Sequence, residues 1–170
     1  MQLSSLIDPK GKKSDEIQQE KQMYVDKQIQ ILNKAKQISQ NDYAVLDRLA
    51  RAYREKARNI RFSDEKEYKE NLYYAQDLYL KCLDIQKSID VYRNIGDIYL
   101  EMGEIEQANS SYNDMIELNK DNYQGYLKLA SLYYSQNDIK LAKEYMAQAE
   151  KCDYFKSNDP LYIHLQKSLQ

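Results

Sequence analysis

One period dominates the C-terminal half of this 170-residue chain. Gly96 and Ala130 lie 34 residues apart, and so do Ala108 and Ala142. The residues around them recur in step. Tyr92 and Tyr126 stand four positions before the small residue, and Tyr99 and Tyr133 three positions after it. Tyr112 and Met146 follow the second small residue by four, and Ile105 and Ile139 open the second segment of each copy. A repeat of this length is a supersecondary unit, because a single helix or strand has a far shorter period. Each half carries apolar residues at helical spacing, and strand-like alternation persists nowhere. The small residues let paired helices approach closely, while the tyrosines fill the space between neighbouring pairs. Gly103, after Met102, suits the left-handed conformation that ends a helix, and Asn137 holds the equivalent place. A lone helix pair cannot bury both of its faces, so such units stack.

A third, altered copy precedes these two. Leu46, Leu49, Ala50 and Tyr53 match the first helix, and Leu72, Ala75, Tyr79, Cys82 and Leu83 match the second. Ala50 and Ala75 are 25 residues apart, where the other copies have 12. About a dozen inserted residues are expected as a longer first helix to Ile60, a loop near Arg61–Ser63, and a second helix over 64–86. Asp64 and Glu67 have the spacing of a capping pair. Upstream, Ile17, Tyr24, Ile31, Leu32, Ala35 and Ile38 predict one long helix with Leu32 and Ala35 facing inward. Downstream, Asp159-Pro160 reads as an N-cap with proline in the first turn, and Leu161, Leu165 and Leu169 form a stripe on a closing helix.

The pattern resembles the tetratricopeptide repeat, a helix–turn–helix unit with an aromatic, a Leu-Gly or Leu-Ala pair, a Tyr, then an Ala and a further aromatic. The resemblance implies an all-α, right-handed superhelical solenoid of antiparallel helix pairs with N-terminal and C-terminal capping helices. Its expected organisation is a flexible arm over 1–13 and a single domain over 14–170. Within that domain come a helix at 14–40, an elongated first unit at 43–88, further units at 89–122 and 123–156, and a cap at 159–169.

In such arrays the first helices line a concave groove. By motif position the resemblance places Arg51, Arg54, Arg58, Arg93, Asn94, Gln124, Lys128 and Tyr134 there as candidate partner-binding residues. Five of the six arginines fall between 48 and 61. Two readings fit them: a charged end of a groove suited to an acidic segment, or local pairing with acids such as Asp47 and Glu55. The clamp by which some co-chaperones of this family grip a C-terminal carboxylate is not reproduced. Asp47, Arg51, Asn94, Gln124 and Lys128 occupy its positions, and Asp47 brings the wrong charge.

Composition excludes other roles. A single histidine, His164, leaves no zinc cluster, and four glycines form no phosphate loop. No cofactor, metal or catalytic residue is expected, so the chain reads as a non-enzyme. Cys82 and Cys152 are too few for a disulfide framework, and neither has an evident activating base. A net charge of −2 argues against nucleic acid. No apolar stretch has the length of a membrane span, and no leader is visible, so a cytoplasmic location is expected. The functional expectation is an adaptor or scaffold that holds a protein segment in its groove. A small secretion-system chaperone and a permanent subunit of a larger assembly remain open, and self-association is compatible with each.

Overall fold

The computed structural model describes residues 14–169, with side chains from Glu16 onward; the arm expected over 1–13 lies outside them. The described residues form eight helices and no strand. The chain divides at Ile85/Gln86 into two compact units.

The first unit holds α1 (Ser14–Ile38), α2 (Tyr43–Ile60) and α3 (Glu65–Ile85). Asp42 caps α2 by accepting from the Val45 amide at 3.1 Å. The inserted residues lengthen helices and build no large loop: α2 has 18 residues and α3 has 21, against 14 in each of their counterparts α4 and α5. Only a short turn at 61–63 joins them, and Asp64 accepts from the Glu67 amide at 2.9 Å. Leu46, Leu49 and Ala50 of α2 meet Leu72, Ala75, Tyr79 and Cys82 of α3 in a water-free core. Burying each large aliphatic side chain there contributes about 1.5–3 kcal/mol.

Helix α1 packs on α2, and this contact needs only a narrow stripe. Val25 and Ile29 are the residues it buries, while Leu32 and Ala35 are half-buried. Tyr24, Ile31 and Ile38, expected as part of the periodic face, stand 63%, 67% and 89% exposed. They lie about one helical step, 100°, off the buried stripe.

The second unit holds α4 (Ile89–Met102), α5 (Ile105–Leu118), α6 (Tyr123–Ser135), α7 (Ile139–Ala149) and α8 (Pro160–Ser168). Helices α4 and α5 form one pair, α6 and α7 the next, and α8 packs on α6. Gly103 ends α4 at φ +81°, and its own amide and that of Glu104 satisfy the Leu100 and Tyr99 carbonyls. Asn137 adopts φ +62° at the matching place after α6. One buried cluster joins Ala108, Tyr112 and Met115 of α5 to Leu129 and Leu132 of α6. A second joins Leu127 and Ala130 of α6, Ala142, Met146 and Ala149 of α7, and Tyr162, Leu165 and Leu169 at the C-terminal end. On α8, Tyr162 is buried where Leu161 had been expected, and Leu161 is half-buried. The small residues at 96, 108, 130 and 142 are all buried, the close approach that the 34-residue register calls for.

Candidate functional site

A cleft of the second unit opens between α4, α6 and the start of α8. It encloses about 310 Å³. Arg93 and Asp97 reach it from α4, and Gln124, Leu127 and Lys128 from α6. Asp159, Pro160 and Leu161 close its third side. Arg93 and Asp97 are one turn apart, as are Gln124 and Lys128, so each helix presents two polar groups to the same side.

A shared acid organises the floor. Asp97 Oδ1 accepts from Tyr112 Oη of α5 and from Lys128 Nζ of α6, both at 2.8 Å. Lys128 and Asp97 are 26% and 19% exposed, so their pair is partly shielded from water. The Lys128 ammonium also stands 6.0 Å from the Tyr112 ring centroid. Arg93 is held more loosely. One terminal nitrogen binds Asp90 at 2.7 Å, an i,i+3 pair on the rim, and the other reaches Gln124 Oε1 at 3.5 Å.

The third wall is fixed by a helix start. Asp159 caps α8 by accepting from the Leu161 and Tyr162 amides, and its second oxygen accepts from Tyr123 Oη at 3.3 Å. Burial and the Asp159 carboxylate raise the Tyr123 phenol above its ordinary pKa. The cleft thus combines two cations, two acids, an amide and apolar walls from Leu127, Pro160 and Leu161. That composition combines polar groups able to orient a ligand with apolar surface able to hold it.

Of the residues placed in a groove by motif position, Arg93, Gln124 and Lys128 meet in this cleft. Asn94 sits one residue further round α4 and is buried at 8% exposure. Tyr134 is half-buried against the cluster of Leu127, Ala130 and Leu165. In the first unit, Arg51 and Arg58 are exposed and Arg54 is buried at 7% exposure. Arg51 Nε donates to Asp47 Oδ2 at 2.9 Å. A separate groove of about 370 Å³ runs between α1 and α2, floored by Leu32 and Ala52, walled by Ile31 and rimmed by Arg48, Arg51 and Glu55. Asp159 and Leu161 were not anticipated as site residues. Their local signal is an N-cap and an apolar stripe, and neither says which side of α6 the closing helix will meet.

Reactive groups are sparse. Burial, with a smaller contribution from Asp47, pushes the Cys82 thiol up to about 11, away from the thiolate that reacts. Burial and Asp121 also raise Cys152. His164 is exposed on α8. Among the described residues, no three His, Cys, Asp or Glu side chains gather in a way that could hold a metal ion, and no helix is long and apolar enough to cross a membrane.

The family model of the tetratricopeptide repeat matches residues 89–122 and 123–153. No curated protein matches the sequence. Among solved structures, two crystal structures of MamA are similar, each at 18% identity. One has a TM-score of 0.46, with 74% of this chain and 86% of that one covered. The other has a TM-score of 0.45, with 85% and 95% covered.

Proposed function

We propose that the chain, whose residues 89–122 and 123–153 match the tetratricopeptide repeat model, is a non-enzymatic protein–protein interaction module whose second unit holds a segment of a partner protein in the cleft between α4, α6 and α8. The observation that carries this reading is the convergence of Arg93, Gln124 and Lys128, from the first helices of two successive repeats, on a cleft closed by the α8 cap. A cleft held open by Asp97, Tyr112 and Lys128 before a partner arrives lowers the ordering cost of binding. Arg93 supplies the adjustable contact. Its bridge to Asp90 is a rim pair, and such pairs contribute little, so a carboxylate on the partner can replace Asp90 without large loss. An acidic segment is therefore the favoured occupant. In the first unit, the exposed Arg51 and Arg58 are separately proposed as contacts to an acidic segment.

A photo-crosslinking amino acid placed at Gln124 tests this directly in cells that express the protein. Mass spectrometry should identify one recurrent partner segment, and Arg93→Ala should deplete it. The same probe at Lys140, an exposed residue of α7, should not capture that segment. Equal capture from both positions would refute the cleft as the site.

A further inference from the structure

Helix α1 presents two faces, and its neighbour covers only one. Ile17, Tyr24, Ile31 and Ile38 fall at steps of seven residues; Ile17 is half-buried, and Tyr24, Ile31 and Ile38 carry the row along the uncovered face. From Ile17 to Ile38 the row covers 21 helical steps, about 31 Å of helix. Tyr24, Ile31 and Ile38 are all more than half exposed, and Met23, beside Tyr24, is 53% exposed. Single exposed apolar residues are ordinary, whereas an aligned row of them marks a contact surface. We infer that this ridge is the self-association surface of the protein, through which α1 pairs antiparallel with α1 of a second copy.

Two observations select this occupant and this direction. The first is shape. A two-fold axis between positions 27 and 28 places Ile17 against Ile38 of the partner subunit, and Tyr24 against the partner's Ile31. Ile31 is also a wall of the groove between α1 and α2, which encloses about 370 Å³ over an apolar floor. The pairing therefore sets each tyrosine at the mouth of the other copy's groove. An isologous interface has this self-complementary form, and a buried Tyr with its hydroxyl toward a polar rim is a favoured anchor. A parallel pairing sets Tyr24 against itself and leaves both grooves unfilled.

The second observation is charge. The ridge is flanked on one side by Glu20, Lys27 and Lys34, all exposed. Equivalent flanks meet when identical helices pack antiparallel, so Glu20 approaches the partner's Lys34 twice. Lys27 lies at the two-fold and faces its own copy, a like-charge contact. This makes a distinctive expectation: removing the Lys27 charge strengthens association, although the change shortens a side chain at the interface.

Sedimentation equilibrium on the full chain, from micromolar to submillimolar concentration, should show a monomer–dimer equilibrium. Tyr24→Ala and Ile31→Glu should each weaken it by about tenfold or more, with unchanged helical content because both sites are exposed. Lys27→Gln should tighten it. Direction is read by disulfide trapping in a Cys152→Ser background with oxidised glutathione. Mixed Tyr24→Cys and Ile31→Cys proteins should give the crossed disulfide in preference to either homodimer. A monomer at every concentration overturns the inference. So does a dominant 24–24 disulfide, or dimerisation indifferent to Tyr24→Ala and Ile31→Glu. If removal of residues 2–13 creates a dimer from a strict monomer, the ridge is covered instead by the chain's own Leu3, Leu6 and Ile7, which also overturns it. Cleft binding, read by the Gln124 crosslink, is independent of all these outcomes.

Discussion

Replacing Gly96 with alanine sets two opposing effects against each other, and the structure decides which wins. In a helix interior the change alone stabilises by about 0.5–1 kcal/mol, because glycine loses more backbone freedom on folding. At this position a Cβ would stand 2.5 Å from Tyr112 Cε1, 2.8 Å from Cδ1 and 3.0 Å from Cζ. Carbon atoms in good contact lie about 3.5–4.0 Å apart, so the ring must retreat by roughly 1 Å. It has nowhere easy to go. Tyr112 is fully buried, and its hydroxyl is tied to Asp97 at 2.8 Å. Overpacking of a tight core costs about 1–3 kcal/mol. Loss of the hydroxyl bond adds about 1 kcal/mol. After subtraction of the helix-propensity gain, Gly96→Ala should destabilise by about 1–3 kcal/mol. Urea denaturation followed by circular dichroism reads this, with Tyr112→Leu and the double variant completing a cycle. Because Tyr112→Leu removes the obstructing ring, the double variant should be less destabilised than the sum of the singles, by about 0.5–3 kcal/mol. A Gly96→Ala protein as stable as the parent, with additive behaviour in the cycle, would refute the close-approach account of the repeat.

Three further outcomes are expected. Ala142→Phe, at a fully buried site facing α6 and α8, should destabilise by about 1–3 kcal/mol in the same assay. Asn137→Gly should stabilise by up to about 1 kcal/mol, seen as a higher urea midpoint, since its φ of +62° is one that glycine adopts without strain. Burial and the nearby Glu117 raise the Asp114 pKa, with Lys87 opposing. The folded state thus holds this proton more tightly than the unfolded chain, so a stability cost develops as pH rises past the ordinary value of 3.8 and is fully present above the folded pKa. Asp114→Asn should therefore raise Tm at neutral pH, and the gain should vanish as pH falls below the ordinary carboxylate value of 3.8. A gain that grew on acidification would contradict the sign of the shift.

The all-α class and the two units that match the tetratricopeptide repeat model were legible because their register rests on small residues at fixed spacing, a demand that few arrangements satisfy. Helix α1 was harder. Its apolar residues fill two adjacent stripes, and periodicity cannot say which of them α2 will cover. The burial of Arg54 had a local signal that the motif position obscured: it lies four residues after Ala50 and three before Ala57, on the buried row itself. Asn94 likewise shares a row with Val91 and Ile98. The α8 contribution to the cleft had no such signal, since a cap residue reveals where a helix begins and nothing about what it will touch.

Asp97 carries a consequence for how the second unit comes apart. Its carboxylate is served by a tyrosine of its own helix pair and by a lysine of the following pair. In a linear array, stability divides into what each repeat holds alone and what adjoining repeats share. The Asp97–Lys128 bond belongs entirely to the shared part. Excising the following repeat would leave a half-shielded acid facing a lost cation, and inserting a foreign repeat would need a cation at the position of Lys128. Exchange of either pair alone should therefore cost stability, and restoring a cation opposite Asp97 should recover part of it.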